Sequence, residues 1–202
     1  MTEGDHSVHL AESGDLSKLV DLHFAVFEDD TYLLNRFGRS MVQAVYEWLQ
    51  DSEGTFTVVA KVHERLSGFA VVSPRPYFGE MISSLRGPLL RAALRRPWVI
   101  ADRRLLARLR DYPKTRASSN EISAQIAILA VHPNARETGT ALAILRLVIE
   151  ECQERGWEKL SAGVYRTNSP ARFLYATNGF TENASLSTDD LVAVENVFAE
   201  TS

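Results

Sequence analysis

Two short stretches carry residues whose types and spacing can do chemistry. In the first, 121–141 (EISAQIAILAVHPNARETGTA), a mostly apolar, β-compatible run from Ile122 to Val131 is stopped by Pro133 and Asn134. Arg136, Gly139 and Ala141 follow in the spacing Arg-x-x-Gly-x-Ala, and an amphipathic run to about Arg155 predicts a helix. A helix start leaves backbone N–H groups without partners and carries roughly half a positive charge, so this junction suits a pyrophosphate. Gly139 and Ala141 keep side chains out of the approach, Arg136 adds a cation, and Glu137, Thr138 and Thr140 complete the loop. In the second stretch, 168–180 (NSPARFLYATNGF), Pro170 suits a first helical position with Ser169 as its cap, and Asn178-Gly179 provides the stop. Asn168 and Tyr175 lie two turns apart and can project to the same side of this short helix. A phenol near pKa 10 stays protonated at neutral pH and can donate, so Tyr175 is a candidate general acid.

Together the two stretches resemble the GNAT superfamily of acetyl-CoA-dependent N-acetyltransferases. That family's pyrophosphate loop reads Gln/Arg-x-x-Gly-x-Gly/Ala, which Arg136, Gly139 and Ala141 match. Its later motif reads Asn-x-x-Ala-x-x-x-Tyr-x-x-x-Gly-Phe, which Asn168, Ala171, Tyr175, Gly179 and Phe180 match throughout. The resemblance covers 121–182 strongly and the remainder in outline. It implies acetyl-CoA as co-substrate, no metal, and a pantetheine arm held by backbone groups near Leu129 and Val131. It also implies cofactor contacts from the 136–141 loop and from Asn168, Ala171 and Tyr175, with Tyr175 protonating the departing thiolate. The implied fold is α/β: a mixed, mostly antiparallel sheet of about seven strands, splayed near residue 131, with helices on both faces.

The elements that must position these residues can be read in order. A first strand at 7–12 precedes a helix capped by Asp15 and running to about Phe27, with Leu16, Leu19, Val20, Phe24 and Phe27 on one face. After a loop at Glu28–Thr31, a second helix covers Arg39–Leu49. Residues 55–62 and 67–73 form a hairpin around His63-Glu64-Arg65, ended by Pro74 and Pro76. Residues 181–187 and 191–198 make a closing hairpin with Thr188-Asp189-Asp190 as its turn. At 202 residues one domain, 1–202, is expected, large enough to bury roughly 70% of its unfolded surface.

Between the hairpin and the cofactor strand lies an insert, 79–118, longer than a connection requires. From Arg86 to Arg116 it holds ten cations against Asp102 and Asp111, a net of +8, while the remaining 12 basic and 24 acidic residues give −12. Interleaved apolar residues (Leu89, Leu90, Leu94, Trp98, Leu105, Leu106) predict two amphipathic helices broken at Pro97. Four readings are open: a solvated cationic face, an anion-binding lid over the acceptor, a peripheral contact with an acidic membrane or protein, and a nucleic-acid contact. The last is disfavoured, because the −12 elsewhere repels a phosphate backbone, and no nucleic acid is expected as partner. In layout the insert is similar to GNAT enzymes of sugar-nucleotide and surface-polysaccharide pathways.

Composition is that of an ordinary globular chain, 45% hydrophobic and 24% charged with net charge −4. The polar start MTEGDHSVHL lacks a signal pattern, and no apolar run approaches the ~20 residues of a spanning helix. The lone Cys152 falls in the apolar series Leu142, Leu145, Ile149 and reads as a core thiol; a cytoplasmic location is expected. The five histidines are scattered, without metal-ligand spacing.

The general base is the least legible part. The position on the cofactor strand where many GNAT members carry a Glu aligns with Gln125, whose amide cannot take a proton. Glu121 lies at the strand's beginning. Glu28 and Asp29, in the loop that borders the acceptor site of the resembled fold, rank above His132, and an amine entering neutral can also react without a dedicated base. The expected activity is transfer of an acetyl group to a primary amine of a small polar acceptor, with a nucleotide-linked amino sugar as leading class. The alternatives are a protein or peptide N-acetyltransferase and a catalytically inactive CoA-binding interaction module. A homodimer is left open.

Overall fold

A computed structural model of the chain describes residues 6–27, 33–74, 77–96 and 123–198. Among the described residues seven strands form one sheet: β1 (His6–Leu10), β2 (Phe56–Val62), β3 (Arg65–Pro74), β4 (Ser123–Val131), β5 (Lys159–Tyr165), β6 (Thr181–Asn183) and β7 (Leu191–Val197), in spatial order β1-β2-β3-β4-β5-β7-β6. All neighbours are antiparallel except β4 and β5, which run parallel. The helices are α1 (Leu16–Val26), α2 (Arg39–Asp51), α3 (Tyr77–Ser84), α4 (Arg86–Arg95), α5 (Thr140–Glu154) and α6 (Ser169–Ala176). This is the expected mixed, mostly antiparallel architecture.

Alternation along the strands divides the core in two. On one face Ile144, Leu145, Val148 and Cys152 of α5 pack with Tyr175 of α6 on Ala70, Ala124, Leu160 and Ala162. On the other, Leu19 and Leu22 of α1 and Met41, Val45 and Leu49 of α2 pack on Val59, Phe69, Val71 and Ala130. Helices thus cover both faces. Cys152 has no exposed surface, and burial pushes its thiol up to about 12, as an inert core thiol requires. Asp15 fixes the start of α1 to the sheet: its buried carboxylate accepts the Glu12 N–H (3.2 Å) and pairs with Lys61 of β2 (3.3 Å) and Lys18 (3.4 Å). Among the described residues no helix is long and apolar enough to cross a membrane.

Four details depart from expectation. The β2–β3 turn is the two-residue pair His63-Glu64, both with positive φ (48° and 61°), a mirror-type turn matched to strand twist. The closing hairpin has a short first strand, because Asn183 ends β6 by accepting the Ser185 N–H on Oδ1 (3.1 Å), so 184–190 is a loop and not a three-residue turn. Before Pro97 the insert forms two short helices and not one, the extra break falling at Leu85, and α4 ends at Arg95, ahead of Pro97. Pro88 explains this: it sits in the first turn of α4, where its missing N–H is not needed, and its ring opposes a continuous helix through residue 84. The remainder of the insert, from 97, lies outside the described residues. Finally, the splay begins well before residue 131.

Candidate active site

The splay is built by a single extra residue. β3 pairs Val71 with Ile128 and Val72 with Ile126, so Ala127 is bulged. The bulge reverses the alternation of β4: Ile126 lies on the α5 face, Ala127 and Ile128 both on the α1–α2 face, and Leu129 and Val131 on the α5 face again. Pairing with β5 runs only from Ser123–Lys159 to Ile126–Ala162. β3 meanwhile holds β4 as far as Val131, and the His132 N–H continues the ladder to the Ser67 carbonyl (2.8 Å). Since N–H and C=O groups alternate sides along a strand, those of Leu129 and Val131 turn away from β3, into the gap toward β5.

The chain leaves this strand through a 3₁₀ turn at Pro133–Ala135 and enters α5 at Gly139. Gly139 sits in the left-handed region at φ 78°. A Cβ there meets nothing within 4 Å, so the glycine is required by backbone conformation and not by crowding within the protein. The first helical bond is from Ala143 N–H to Gly139 O (3.0 Å), and no side chain caps the helix. The N–H groups of Thr140, Ala141 and Leu142 therefore precede any helical acceptor. Thr138 stiffens the turn, donating from Oγ1 to the Ala135 carbonyl (2.8 Å) and lying 2.7 Å from Thr140 Oγ1. Arg136, Glu137, Thr138 and Gly139 are exposed.

α6 starts differently. Its cap is Asn168, not Ser169: Asn168 Oδ1 accepts the Ala171 N–H (3.2 Å), which places Ser169 and Pro170 in the first turn. Asn168, at the helix start, is exposed, while Tyr175, two turns on, is buried. Tyr175 stands edge-on to Phe180 (centroids 4.9 Å), and burial raises its phenol above the ordinary range, which keeps the proton on oxygen. Leu129, Val131, Ala141, Ala171 and Tyr175 all belong to the core cluster on the α5 face of the sheet. Gly179, at φ 86°, ends the α6 region as expected.

The candidates for proton removal are dispersed. Gln125 is opposite Ser73 and Ser161 in register and, by alternation with Ala124 and Ile126, lies on the α1–α2 face, away from Tyr175. His132 caps the 3₁₀ turn, its Nδ1 accepting the Asn134 N–H (3.2 Å). Glu28, Asp29 and Glu121 lie outside the described residues.

Three features escaped the sequence reading. Gly68 lets α5 seat closely on the sheet, since a Cβ there would lie 2.8 Å from Ile144 Cδ1 and 3.1 Å from the Ala130 carbonyl; a glycine inside a strand pattern was the available signal. His23, fully buried, lies 2.8 Å from the Tyr46 hydroxyl and 2.5 Å from Asn35 Oδ1, while Asn35 Nδ2 donates to the Phe27 carbonyl (2.8 Å). Burial lowers the imidazole pKa, opposed by the Asn35 acceptor, and the pattern fits a neutral ring with its proton on Nε2. This network fixes both ends of the α1–α2 connection. Arg166, just past β5, donates to the carbonyls of Asp189 (3.3 Å) and Thr188 (3.1 Å) and ties the β6–β7 loop over the β5 side of the splay; nothing local in sequence announces it.

A cleft of about 640 Å³ lies elsewhere, at the β4 N-terminal end, lined by Trp48, Asp51, Ser73, Tyr77, Glu80 and Trp157 among others. Among the described residues no group of His, Cys, Asp and Glu side chains is placed to hold a metal ion.

Solved structures share this architecture. PaiA N-acetyltransferase from Thermoplasma acidophilum, in complex with coenzyme A, superposes with a TM-score of 0.61 at 11% identity, over 96% of this chain and 99% of that one. YncA from Salmonella typhimurium, with its cofactor acetyl-CoA, gives 0.61 at 15% identity, over 98% and 96%. The ribosomal-protein-S18-alanine N-acetyltransferase from Escherichia coli gives 0.59 at 14%, over 98% of each chain. At such identities these show the fold alone. No curated protein matches the sequence. The acetyltransferase (GNAT) family profile matches residues 19–180, from within α1 to the end of the second motif. The chain therefore belongs to the GNAT acetyltransferase family, an acyltransferase whose donor is acetyl-CoA.

Proposed function

We propose that the enzyme acetylates a primary amine on a small, polar, anionic acceptor, with a nucleotide-linked amino sugar as the best-fitting class. One observation carries the transfer chemistry: an uncapped helix start with an adjacent exposed arginine opens beside a strand whose backbone is released from its neighbour. When bound, acetyl-CoA supplies an acyl group already activated as a thioester. Arg136, Glu137, Thr138, Gly139, Thr140 and Ala141 would hold its pyrophosphate, and Leu129 and Val131 its pantetheine arm. Asn168 and Ala171 border it from α6. One backbone N–H of the splayed β4 segment would face the acetyl oxygen, where negative charge develops during attack. Tyr175 keeps its proton at neutral pH and would be the group to protonate the departing thiolate. The proton of the amine passes to Glu28 or Asp29, or to water held at Gln125.

The anionic acceptor is supported by the insert. α4 carries Arg86, Arg91 and Arg95 without an acidic residue, and Arg96, at its C-terminal end, donates to the Arg36 carbonyl (2.9 Å) beside Gly38. That contact joins the insert to the 3₁₀ segment Leu33–Phe37, which closes the α1–α2 connection. A second reading, acetylation of a protein N terminus or lysine, draws on the cleft at the β4 N-terminal end, whose Asp51, Glu53 and Glu80 suit a basic peptide. The buried, unpaired Cys152 suits a reducing cytoplasm. Thiol release from acetyl-CoA, measured across nucleotide amino sugars, simple amino sugars, polyamines and peptides, separates the readings. Selective turnover of the phosphorylated acceptors supports the first, and selective turnover of peptides supports the second. Turnover of polyamines with rejection of anionic amines overturns the anionic assignment.

A further inference from the structure

The two exposed leucines of α4, Leu90 and Leu94, have a use that neither the acetyl site nor the core explains. The helix is seated inward by Leu85 just before it and by Leu89, which join the α1–α2 core, and Ala92 is buried on the same side. Leu90 and Leu94 point the other way and are 62% and 76% exposed, among the most exposed large apolar side chains described. At about 100° per residue these two leucines lie about 40° apart on the helix crest, opposite the buried stripe. Arg86 flanks them on one side and Arg91 and Arg95 on the other, all exposed, and RGPLLRAALR contains no acidic residue. An apolar crest between cationic shoulders is the profile of a helix lying in a lipid–water interface, with the leucines below the headgroups and the guanidinium groups reaching the phosphates.

We propose that α4 docks the enzyme on an anionic lipid bilayer through Leu90 and Leu94, with Arg86, Arg91 and Arg95 engaging headgroup phosphates. Charge complementarity selects the surface. The −12 carried outside the 86–116 window is repelled by an anionic membrane, so the molecule is oriented with this basic segment leading. Size selects lipid over protein: a ten-residue helix is only about 15 Å long, and one convex crest of that length falls short of the roughly 800 Å² per partner of a stable protein interface. A bilayer requires no complementary shape. A nucleic-acid surface would use the arginines but has no place for two adjacent exposed leucines.

The test is co-sedimentation of the full chain with phosphatidylcholine vesicles, with and without phosphatidylserine. Binding should be at least about tenfold stronger with phosphatidylserine present and should weaken as salt shortens the screening length. Leu90→Gln with Leu94→Gln, and separately Arg91→Gln with Arg95→Gln, should each cut binding to phosphatidylserine vesicles at least about fivefold, since insertion and charge act together. Melting temperature should stay at the parent value in both, because these side chains are exposed. Absence of binding to phosphatidylserine vesicles, or equal binding to both vesicle types, overturns the proposal. So does a leucine variant that binds like the parent while a soluble polyanion competes fully, the result expected for an acidic protein or nucleic-acid partner.

Discussion

The two helix starts that flank the splay carry similar signals in sequence and do opposite things in the fold. α5 begins at a left-handed glycine with no side-chain cap, and its first N–H groups are left to solvent or ligand. α6 begins at Asn168, whose side-chain Oδ1 satisfies the Ala171 N–H from within the protein. An open start is a binding device, because its partial charge and donors await an anion. A closed start is a positioning device: it fixes the register of α6 and so where Tyr175 stands. α1 is a third case, closed at its 3₁₀ lead-in by Asp15 and anchored to β2 through Lys61.

This contrast can be broken at several points. The largest expected effect is on chemistry. Tyr175→Phe keeps the ring and its contact with Phe180 but removes the proton, and kcat should fall about 100-fold, within the range for loss of a general acid. Its acetyl-CoA affinity, measured by calorimetry, should stay near the parent value; an unchanged kcat would remove Tyr175 from the mechanism. Next comes the seating of α5. Gly68→Ala places a methyl group against Ile144 and the Ala130 carbonyl, and denaturant unfolding should show a loss of about 1–3 kcal/mol.

Opening the closed start should cost less. Asn168→Ala leaves the Ala171 N–H without its cap, for about 1 kcal/mol by unfolding, with the melting temperature lowered by about 2–4 °C for a chain of this length. A parent-like stability would mean that Asn168 serves the ligand alone. The smallest effect is a pH dependence. Burial raises the Asp15 pKa, but the Glu12 N–H and the Lys61 and Lys18 ammonium groups outweigh it, and the net result is a lowered value. A carboxylate lowered on folding contributes stability that is present above its unfolded pKa, near 4, and lost as pH falls through the folded value. Asp15→Asn should therefore flatten the acid limb of a stability–pH curve, and an identical limb would show that other carboxylates set it.

How far the sequence was legible follows from which physics is local. The helix start at 139–141, the stop at Asn178-Gly179, the apolar face of α1 and the span of α2 rest on residue type and period, and the fold bears them out. The splay was misplaced toward residue 131 because its cause, the Ala127 bulge, depends on how β3 pairs with β4. Ser169 before Pro170 has the local pattern of a cap, but the backbone enters α6 one residue earlier and brings Asn168 Oδ1 to the Ala171 N–H. The Arg166 contacts and the His23–Asn35–Tyr46 network link segments 12 to 23 residues apart, beyond the reach of any local pattern.

The central claim is that the open start of α5 binds the pyrophosphate of acetyl-CoA, and titration calorimetry with acetyl-CoA tests it most directly on the parent, Gly139→Glu and Asn168→Ala. Gly139→Glu puts a carboxylate at the N–H cluster in a backbone region that costs an L residue about 1–2 kcal/mol, so a melting curve must accompany it to show that the variant is folded. The account predicts saturable binding by the parent, affinity within about fivefold for Asn168→Ala, and no measurable heat for folded Gly139→Glu, since bulk and negative charge there oppose an anion at the helix start. Parent-like binding by folded Gly139→Glu would contradict it.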